Sequence, residues 1–431
     1  MDRNYWDSYV ETMSRGELEQ LQLERLNKTL ARAGSSAFYK GRLPDSVSSL
    51  DQLKEIGFTT KPDLRNSYPC GMTTAPMEDM IRMHSSSGTT GSTTVIYHTR
   101  GDIDNWTELV ARSMHMTGVR KSDVFQNMMG YGLFTGGLGL HYGSERLGCL
   151  TIPASSGNSR RQIRLMMDFG TTVIHITPSY ALHLYSIIEH QGLHPREDLK
   201  LRIAFLGAEP YSDETRKKIE QLYGVDAFNS YGLSEMNGPG VAFECTAKQG
   251  MHVWEDSYIL EVVDPKTGEC VEDGREGEVV LTTLMREGMP LIRYRTGDIA
   301  SVYTGECPCG RTHRRISRIK GRSDDMLIIK GVNLYPLQIE KVLMNIPQVG
   351  NNYLIEIDKT DYLDTLNIKV EVGPQIFHGE IGELEALKNR ITQDLKNEIL
   401  IAPRVVLVEP NSLPASEGKA VRVIDKRNKT S

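Results

Sequence analysis

Two carboxylates and a late lysine have residue types that can do chemistry on a nucleotide. Glu235 follows a short predicted strand in Tyr231-Gly232-Leu233-Ser234-Glu235, where a carboxylate could hold Mg²⁺ on phosphates. Asp298 closes Tyr294-Arg295-Thr296-Gly297-Asp298, predicted as a strand ending in a turn, and could accept both hydroxyls of a ribose. Lys419 lies in a loop near the chain end, where it could deliver charge as a domain closes. Taken singly, each has an ordinary interpretation as a surface Glu, a turn-stabilising Asp or a solvated Lys.

A run of hydroxyls and glycines extends from His84 to Thr94 and leads into the apolar strand at Val95. Gly88 and Gly91 permit a sharp bend, and successive backbone N–H groups in such a bend form an anion site. The run differs from a GxxxxGK[ST] loop because no lysine follows Gly91. By itself it is either a phosphate cradle or a flexible polar surface loop.

Three cysteines and a histidine form a candidate metal site. Cys307 and Cys309 are a close pair, and Cys245 and His252 are a second pair. Three thiolates and one imidazole suit a closed tetrahedral Zn²⁺ site, which is a structural type of site. The alternative is free thiols, because the spacing of Cys307 and Cys309 is shorter than that of zinc fingers.

A glycine-rich segment with two aromatic residues runs from Gly130 to Gly139. Tyr131 and Phe134 could form the wall of a flat apolar ligand site, with glycine backbone approaching closely. A glycine-rich packing turn would have the same composition, so this segment has two open interpretations.

The composition excludes several classes of protein. The chain has 431 residues, enough for two or three domains, and 39% hydrophobic residues can build a large core. A net charge of −6 argues against a nucleic-acid surface. We find no apolar run near the ~20 residues that span a bilayer and no apolar signal core, so we expect a cytoplasmic protein without membrane association. Six cysteines in a chain of this size predict no disulfide framework.

The elements that must position these residues follow from hydrophobic periodicity. Leucines on one face predict a helix over Arg15–Arg32, and further helices are predicted over Ser49–Ile56 and Asp102–Thr117. Alternating strands and helices then indicate βα units of a parallel sheet. These predicted elements are the strands Val124–Met129, Gly148–Ile152, Thr172–Ile176, Leu201–Leu206 and Ala227–Asn229, with helices at Arg160–Phe169 and Tyr180–His190.

The pattern changes after His252. Strands at Tyr258–Val263, Gly277–Leu284 and Leu291–Arg295 are separated by turns and predict an antiparallel subdomain. The expected fold is therefore α/β, with parallel α/β sheets plus an antiparallel β subdomain in a large N-terminal domain of residues 1–322. Residues 323–431 are expected to form a small α+β C-terminal domain, with a strand at Met326–Lys330, a turn at Gly331–Asn333, a helix from Pro336 and a strand at Val405–Val408.

The ordered motifs SSSGTTGSTT, YGLFTGGLG, GAEP, YGLSE, YRTGD, GRSDDMLIIKGVNLYP and a late GK resemble the adenylate-forming superfamily of acyl-CoA synthetases, most of all phenylacetate–CoA ligases. The resemblance covers nearly the whole chain. It implies that ATP and an aryl carboxylic acid form an acyl-AMP, and that coenzyme A then attacks it. It also implies a C-terminal domain that rotates between the steps and a homodimer.

The resemblance also assigns roles to residues. Ser85, Ser86, Ser87, Gly88, Thr89, Thr90 and Gly91 would cradle the phosphates, Glu235 would hold Mg²⁺, and Asp298 and Arg322 would hold the ribose. Ala208, Glu209, Pro210, Asn229, Ser230, Tyr231 and Gly232 would bind the rest of the nucleotide, and Tyr131, Gly132, Phe134 and Gly207 would form the acid pocket. Asp324 would be the hinge, Gly331 would line the CoA tunnel, and Lys419 would orient the carboxylate and α-phosphate. Cys245, His252, Cys307 and Cys309 match the zinc-bearing branch of the family.

Two departures from the family pattern concern the nucleotide. Ser92 stands where the family loop usually has Lys, so we expect weaker ATP binding or compensation by another cation. Asn229 stands where relatives often have Asp, and an amide oxygen can still accept a hydrogen bond. Two other functions stay open, an adenylating enzyme that passes the acyl group to a carrier protein or an amine, and a nucleotide-binding relative without turnover.

Overall fold

The structure, a computed structural model, describes residues 4–86, 93–323, 326–329, 332–360, 363–373, 376, 381–414 and 420–427. Its contacts divide the chain into two compact units. The first unit comprises Met1–Ser155, Val173–His175 and Phe228–Ile319, and the second comprises Ser156–Thr172, Ile176–Ala227 and Lys320–Ser431. None of the helices in the described ranges combines the length and apolar composition needed to cross a membrane.

Several of the longer helices begin just after a capping side chain, at the start of a segment whose apolar residues repeat with helical spacing. In the helix at Arg15–Ala33, Ser14 and Glu17 form a capping box, and Leu18, Leu26 and Leu30 are buried on one face. The helices include α1 (Ser8–Glu11), α2 (Arg15–Ala33), α3 (Lys61–Asn66), α4 (Arg100–Met116), α5 (Gly136–Leu147), α6 (Ser159–Phe169), α7 (Pro178–His190), α8 (Pro195–Asp198), α9 (Asp213–Tyr223), α10 (Pro336–Met344) and α11 (Ile381–Ile399).

The strands of the first half of the chain are short and mostly buried on both faces. They are β1 (Arg82–Ser86), β2 (Thr94–His98), β3 (Val124–Asn127), β4 (Leu150–Ile152), β5 (Val173–Ile176), β6 (Ile203–Leu206) and β7 (Asp226–Leu233). Strands β1 and β2 pair as an antiparallel hairpin, and β3 pairs in parallel with both β4 and β5. The parallel arrangement predicted from the βα rhythm is thus present.

The antiparallel part of the first unit is a continuous ladder in the order β10-β11-β12-β13-β9-β8-β7. Its members after β7 are β8 (Gly238–Glu244), β9 (Met251–Val253), β10 (Tyr258–Val263), β11 (Glu276–Thr283), β12 (Tyr294–Tyr303) and β13 (Arg315–Ile316). This ladder is the predicted antiparallel subdomain, and it carries the segments with Glu235, Asp298 and the cysteines.

The C-terminal part of the second unit has its own sheet and its own core. The strands are β14 (Gly321–Arg322), β15 (Leu327–Ile329), β16 (Val332–Leu334), β17 (Val349–Thr360), β18 (Leu363–Val372), β19 (Arg404–Val408) and β20 (Val423–Asp425). Four strands pair in the order β19-β18-β17-β20. One buried apolar cluster draws its residues from Ile329 to Val405 and packs this sheet against α10 and α11. A separate core of this kind is what a C-terminal domain requires.

Several predicted boundaries are wrong for local reasons. Leu291–Arg295 is apolar and was expected to be a strand, but β12 begins only at Tyr294, because Arg293 has a φ of 46° that breaks the extended backbone. β7 continues to Leu233, since pairing with β8 outweighs the weak strand preference of Ser230 and Gly232. The segment Ser49–Ile56 forms a 3₁₀ turn at Leu50–Glu55 in place of an α-helix.

Candidate functional site

Strand β1, at the start of the hydroxyl-rich run, and the Glu235 turn both contact the glycine-rich segment within the first unit. The backbone N–H of Ser85 donates to the carbonyl of Leu133 at 3.0 Å. The hydroxyls of Thr135 and Ser234 lie 3.2 Å apart. Ser85 and Ser86 belong to β1, so the predicted loop is shorter than the sequence suggested. Ser87, Gly88, Thr89, Thr90, Gly91 and Ser92 lie outside the described residues.

The glycine-rich segment serves packing at its C-terminal end. A Cβ on Gly137 would lie 2.7 Å from the carbonyl oxygen of Gly130, and one on Gly139 would lie 2.7 Å from the Trp106 ring. Gly139 therefore lets α5 approach α4 closely, and Gly137 lets it pack against the backbone at Gly130. The N-terminal end differs, because Phe134 is 46% exposed and Gly132 is exposed with a φ of 127°. The C-terminal end of the segment is therefore a packing turn, and its N-terminal end exposes apolar side chains, where the ligand wall stays a prediction.

Tyr131 is held by its hydroxyl. Asn127 Nδ2 donates to the hydroxyl at 3.0 Å, and His141 Nδ1 lies 3.2 Å from it. Burial raises the pKa of Tyr131 to about 12, so the phenol is neutral at physiological pH. A neutral, fixed ring can form one wall of an apolar site.

Glu235 is a buried carboxylate. It lies in a 3₁₀ turn at Ser234–Met236 and is 6% exposed, unlike the surface glutamate that was the ordinary interpretation. Tyr294 donates its hydroxyl to Glu235 Oε1 at 3.3 Å, and Lys61 Nζ lies 4.0 Å from the same oxygen. Lys61 supplies a positive charge near this buried carboxylate, and a carboxylate oxygen is also the ligand type that Mg²⁺ prefers.

Asp298 lies inside β12, so the predicted turn at this motif is wrong. The pairing of β11 with β12 shifts register between Glu278 and Val280, and Gly297 has a φ of 79°. This β-bulge turns Asp298 so that Oδ2 accepts the Tyr231 hydroxyl at 2.7 Å. The structure therefore brings two predicted nucleotide residues together, and the carboxylate can accept further hydrogen bonds.

Two further residues predicted to bind the nucleotide lie beside Tyr231 in β7. Asn229 and Ser230 are both buried, and the backbone N–H of Asn229 donates to Glu244 Oε2 at 2.8 Å. A Cβ on Gly232 would lie 1.9 Å from the carbonyl oxygen of Gly238, so no side chain fits there. The close approach of β7 and β8 therefore requires glycine at position 232.

In the second unit, Gly207-Ala208-Glu209-Pro210 follows β6 directly. Ala208 has a φ of 69°, a left-handed conformation that costs a non-glycine residue about 1 to 3 kcal/mol. Glu209 accepts from the backbone N–H of Ser179 at 2.7 Å and from that of Ala420 at 2.9 Å. Burial raises the pKa of Glu209. The residue that follows Lys419 is therefore bound to the predicted nucleotide loop.

A cavity of about 400 Å³ in the second unit adjoins this loop. Glu209, Pro210 and Arg322 line it, so it brings together three of the predicted nucleotide residues. Lys320 and Arg422 add positive charge to its wall, and Glu340 adds a second carboxylate beside Glu209. Asp324, Gly331 and Lys419 lie outside the described residues.

The cysteines and histidine converge as the spacing predicted. The ligand atoms of Cys245, His252, Cys307 and Cys309 all lie within 4.8 Å of one another, and Cys245 Sγ is 3.6 Å from Cys307 Sγ. That separation is far too long for a disulfide of about 2 Å and close to the roughly 3.8 Å between two thiolates of a tetrahedral Zn²⁺. His252 directs Nδ1 to the carbonyl of His313 at 3.0 Å and Nε2 to Cys309 Sγ at 3.3 Å. A carbonyl partner on the other ring nitrogen is typical of metal-binding histidines, so the set fits zinc.

The sequence interpretation missed several residues of these sites. Lys61 and Ser179 carry no local signal, because they reach Glu235 and Glu209 only through the tertiary fold. Tyr294 was part of a recognised motif but had no assigned role, and its position before the Thr296–Asp298 bulge was the available signal.

Two family models match the chain. One described as "AMP-binding enzyme" matches residues 20–284, and one described as "AMP-binding enzyme C-terminal domain" matches residues 331–427. The phenylacetate-coenzyme A ligase of Pseudomonas putida is 45% identical over 97% of this chain and 96% of its own length. The ligase of that name from Escherichia coli is 42% identical over 97% of each chain.

Solved structures agree with these relatives. A 2-hydroxyisobutyryl-CoA ligase in the postadenylation state, in complex with 2-HIB-AMP, matches with a TM-score of 0.94 at 29% identity over 99% of this chain and 93% of its own. The same ligase with 2-HIB-AMP and CoA in the thioesterification state matches with a TM-score of 0.73 at 29% identity over the same shares. The chain therefore belongs to the adenylate-forming superfamily of AMP-binding enzymes, in the group of the phenylacetate–CoA ligases.

Proposed function

We propose that this chain is an ATP-dependent acid–thiol ligase that activates an aryl carboxylic acid as acyl-AMP and transfers the acyl group to coenzyme A. The observation that carries the proposal is the 42–45% identity, over 97% of the chain, to proteins named phenylacetate-coenzyme A ligase. The geometry supports it, because Ser85 at the start of the hydroxyl-rich run and Ser234 of the Glu235 turn both contact the glycine-rich segment.

The first step needs positioning and charge neutralisation more than covalent help from the protein. In our proposal, the segment from Ser85 to Gly91 binds the phosphates, Asp298 binds the ribose hydroxyls, and Lys419 orients the acid carboxylate against the α-phosphorus. Buried Glu235 supports a role in holding Mg²⁺, which would neutralise phosphate charge. Pyrophosphate leaves as the carboxylate oxygen bonds to phosphorus.

For the second step, we propose that the C-terminal domain, residues 323–431, moves about Asp324 and brings Gly331 to the CoA path. The thiol then attacks the acyl carbonyl and AMP leaves. The separate apolar core of the C-terminal part supports a domain that moves as one body. A single site can serve two chemistries if different groups reach it in turn.

The acid is proposed to be small and aromatic. Exposed Phe134 and Leu133 and the neutral ring of Tyr131 support an apolar wall. Gly132 and Gly207 are proposed as further residues of the acid pocket. Phenylacetate is the acid in the names of the relatives with 42–45% identity. The 2-hydroxyisobutyryl-CoA ligase structures, at 29% identity, make a small aliphatic hydroxy acid the second compound to test.

We also propose a structural Zn²⁺ held by Cys245, His252, Cys307 and Cys309. When bound, it would fix the loop after β12 without taking part in the reaction. We also propose that the protein is cytoplasmic and a homodimer. A reducing compartment is supported by six cysteines of which none forms a disulfide, and the dimer is supported by the family resemblance.

The test is pyrophosphate release across aryl, aliphatic and amino acids, with and without CoA. We expect the strongest response to phenylacetate-like acids and an acyl-CoA product when CoA is present. Lys419→Ala should lower adenylation greatly while the protein stays folded. An acyl group found on a carrier protein or an amine, or nucleotide binding with no turnover for any acid, would replace this function by one of its two alternatives.

A further inference from the structure

The N terminus of α9 receives a carboxylate from the C-terminal part of the second unit. Glu340 Oε1 on α10 accepts the backbone N–H of Ser212 at 2.9 Å and the hydroxyl of Thr215 at 2.6 Å. Its other oxygen accepts the hydroxyl of Tyr353 at 2.8 Å. Glu340 is only 7% exposed, so three hydrogen bonds compensate for the burial of its charge.

This contact is favourable for two physical reasons. The first turn of a helix has N–H groups without intrahelical partners, and the helix dipole attracts negative charge there. Hydrogen bonds to an ionised carboxylate are also stronger than those between neutral groups. Ser212 caps α9 with its own side chain, which accepts from Thr215 N, and the backbone N–H of Ser212 is left for Glu340.

Two more contacts join strand β17 of the C-terminal part to helices α9 and α7. Lys218 on α9 donates through Nζ to the carbonyl of Gly350 at 3.0 Å, and burial lowers the pKa of this lysine to about 8. Asn351 Nδ2 donates to Ser186 Oγ on α7 at 3.3 Å. The C-terminal part is therefore held on α7 and α9 by directional polar contacts, which fix one docked arrangement and break if it moves away.

The docked arrangement belongs to the adenylation step of the proposed reaction. Ala420, which follows Lys419, binds Glu209 of the predicted nucleotide loop in this arrangement. Movement of the C-terminal domain for the CoA step would withdraw the Lys419 segment, and it would also separate Glu340 from Ser212 and Thr215.

We propose that Glu340 is a positioning residue that stabilises the adenylation arrangement by binding the N terminus of α9, and that its release accompanies passage to the thioester step. The proposal rests on the proposed two-step function. Glu340 also lines the cavity beside the nucleotide loop, but its two oxygens are bound by Ser212, Thr215 and Tyr353. In this proposal it acts through the Lys419 segment and sets how much of the enzyme is ready for the first step.

The test compares the two half-reactions in the full-length enzyme. Adenylation is measured as phenylacetate-dependent ATP–pyrophosphate exchange without CoA. Thioester formation is measured separately from supplied phenylacetyl-AMP and CoA. For Glu340→Gln we expect exchange kcat to fall about tenfold, since a charge-assisted contact at a helix N terminus is lost, with KM for ATP and phenylacetate little changed. Thioester formation should be unchanged or faster.

Thr215→Val removes one donor and keeps the carboxylate, so it should give a smaller change in the same direction. Glu398→Gln is the matched control, because Glu398 pairs with Lys341 inside the C-terminal part and undergoes the same charge change. Equal losses in both half-reactions, or an unchanged exchange rate, would overturn the role of Glu340. Absence of exchange in the unaltered enzyme with every acid tested would instead overturn the proposed function itself.

Discussion

At the scale of single residues, two buried carboxylates are the proposed ligands of Mg²⁺ and of the ribose. Glu235 and Asp298 each accept a tyrosine hydroxyl, from Tyr294 and Tyr231. Glu235 also lies 4.0 Å from Lys61 Nζ. Each carboxylate has two oxygens that can accept several hydrogen bonds or bind a cation, so each has capacity for a ligand. A metal ion at Glu235 and a ribose diol at Asp298 would use that capacity.

Glu235→Gln should lower the rate of pyrophosphate release about a hundredfold, because the amide keeps the size of the side chain and loses the charge that holds Mg²⁺. The measurement is the rate across a Mg²⁺ titration, in which the variant should need more Mg²⁺. Glu269→Gln, at an exposed turn position, is the control. An unchanged Mg²⁺ dependence would remove Glu235 from the metal site.

Asp298→Asn should raise the KM for ATP about tenfold, because one oxygen that accepts a ribose hydroxyl becomes a donor. Initial-rate kinetics at saturating phenylacetate measure the change. The KM for phenylacetate should stay the same. If both KM values rise together, Asp298 supports the fold of β12 and has no particular role for ribose.

The sequence predicted those site residues that belong to a motif. It did not predict residues that only the tertiary fold brings to the site. Glu235 and Asp298 stand in recognisable motifs, whereas Lys61 lies near Glu235 only through tertiary structure. Lys61 Nζ lies 4.0 Å from Glu235, which is proposed to hold Mg²⁺ on the phosphates. We therefore propose Lys61 as the cation that compensates for the loop lysine replaced by Ser92. Contacts of this kind depend on long-range packing, which periodicity and spacing do not encode.

At the scale of elements, a buried carboxylate joins α2 to the antiparallel part of the first unit. Glu255 accepts from Arg15 on α2 at 2.8 Å and from Arg314 at 2.7 Å. Burial alone would raise the pKa of Glu255, but Arg314 and Arg15 outweigh it and lower the pKa to about 2. The carboxylate is thus bound more tightly in its charged form.

The pKa of Glu255 has a consequence for stability. A lowered pKa stabilises the fold above the unfolded value of 4.5, and this contribution is lost as the pH falls from 4.5 towards 2. Glu255→Gln should cost roughly 3 kcal/mol of unfolding free energy at pH 7 and less at pH 3. Urea unfolding at both pH values measures it, with exposed Glu24→Gln as control. If Glu255→Gln lowers the unfolding free energy equally at both pH values, the charge of Glu255 is not the cause of the loss.

The zinc proposal also concerns an element, the loop after β12. This loop holds the N-terminal segment, since Arg311 Nε donates to Glu11 Oε2 at 2.6 Å. Purified protein should contain about one zinc per chain, and Cys309→Ser should lose it. Elemental analysis measures the metal, and limited proteolysis should cut near Glu11 sooner in the variant. Less than about a tenth of a zinc per chain in the unaltered protein would indicate free thiols.

Elements with strong periodicity and caps were predicted well. The predicted helix Arg15–Arg32 is α2 within one residue, and Asp102–Thr117 is α4 within two. The strand at Leu291–Arg295 was misplaced, since Leu291 and Ile292 are buried without being extended in a strand. Burial and strand formation favour the same residue types, so composition alone could not separate them.

At the scale of the whole molecule, the fold class was predictable and the grouping of its parts was not. The βα rhythm indicated parallel strands, and turns every few residues indicated the antiparallel ladder. The second unit joins Ile176–Ala227 to the C-terminal part, a grouping that depends on contacts such as Glu340 with Ser212. The boundary at residue 322 stays a prediction.

The central claim is that a carboxylate oxygen attacks the α-phosphorus of ATP. The direct measurement supplies phenylacetate labelled with ¹⁸O in its carboxylate, together with ATP and CoA, and analyses the products by mass spectrometry. We expect phenylacetyl-CoA, unlabelled pyrophosphate and AMP that carries one ¹⁸O atom. Label in inorganic phosphate with ADP as the nucleotide product, or AMP without label, would contradict it.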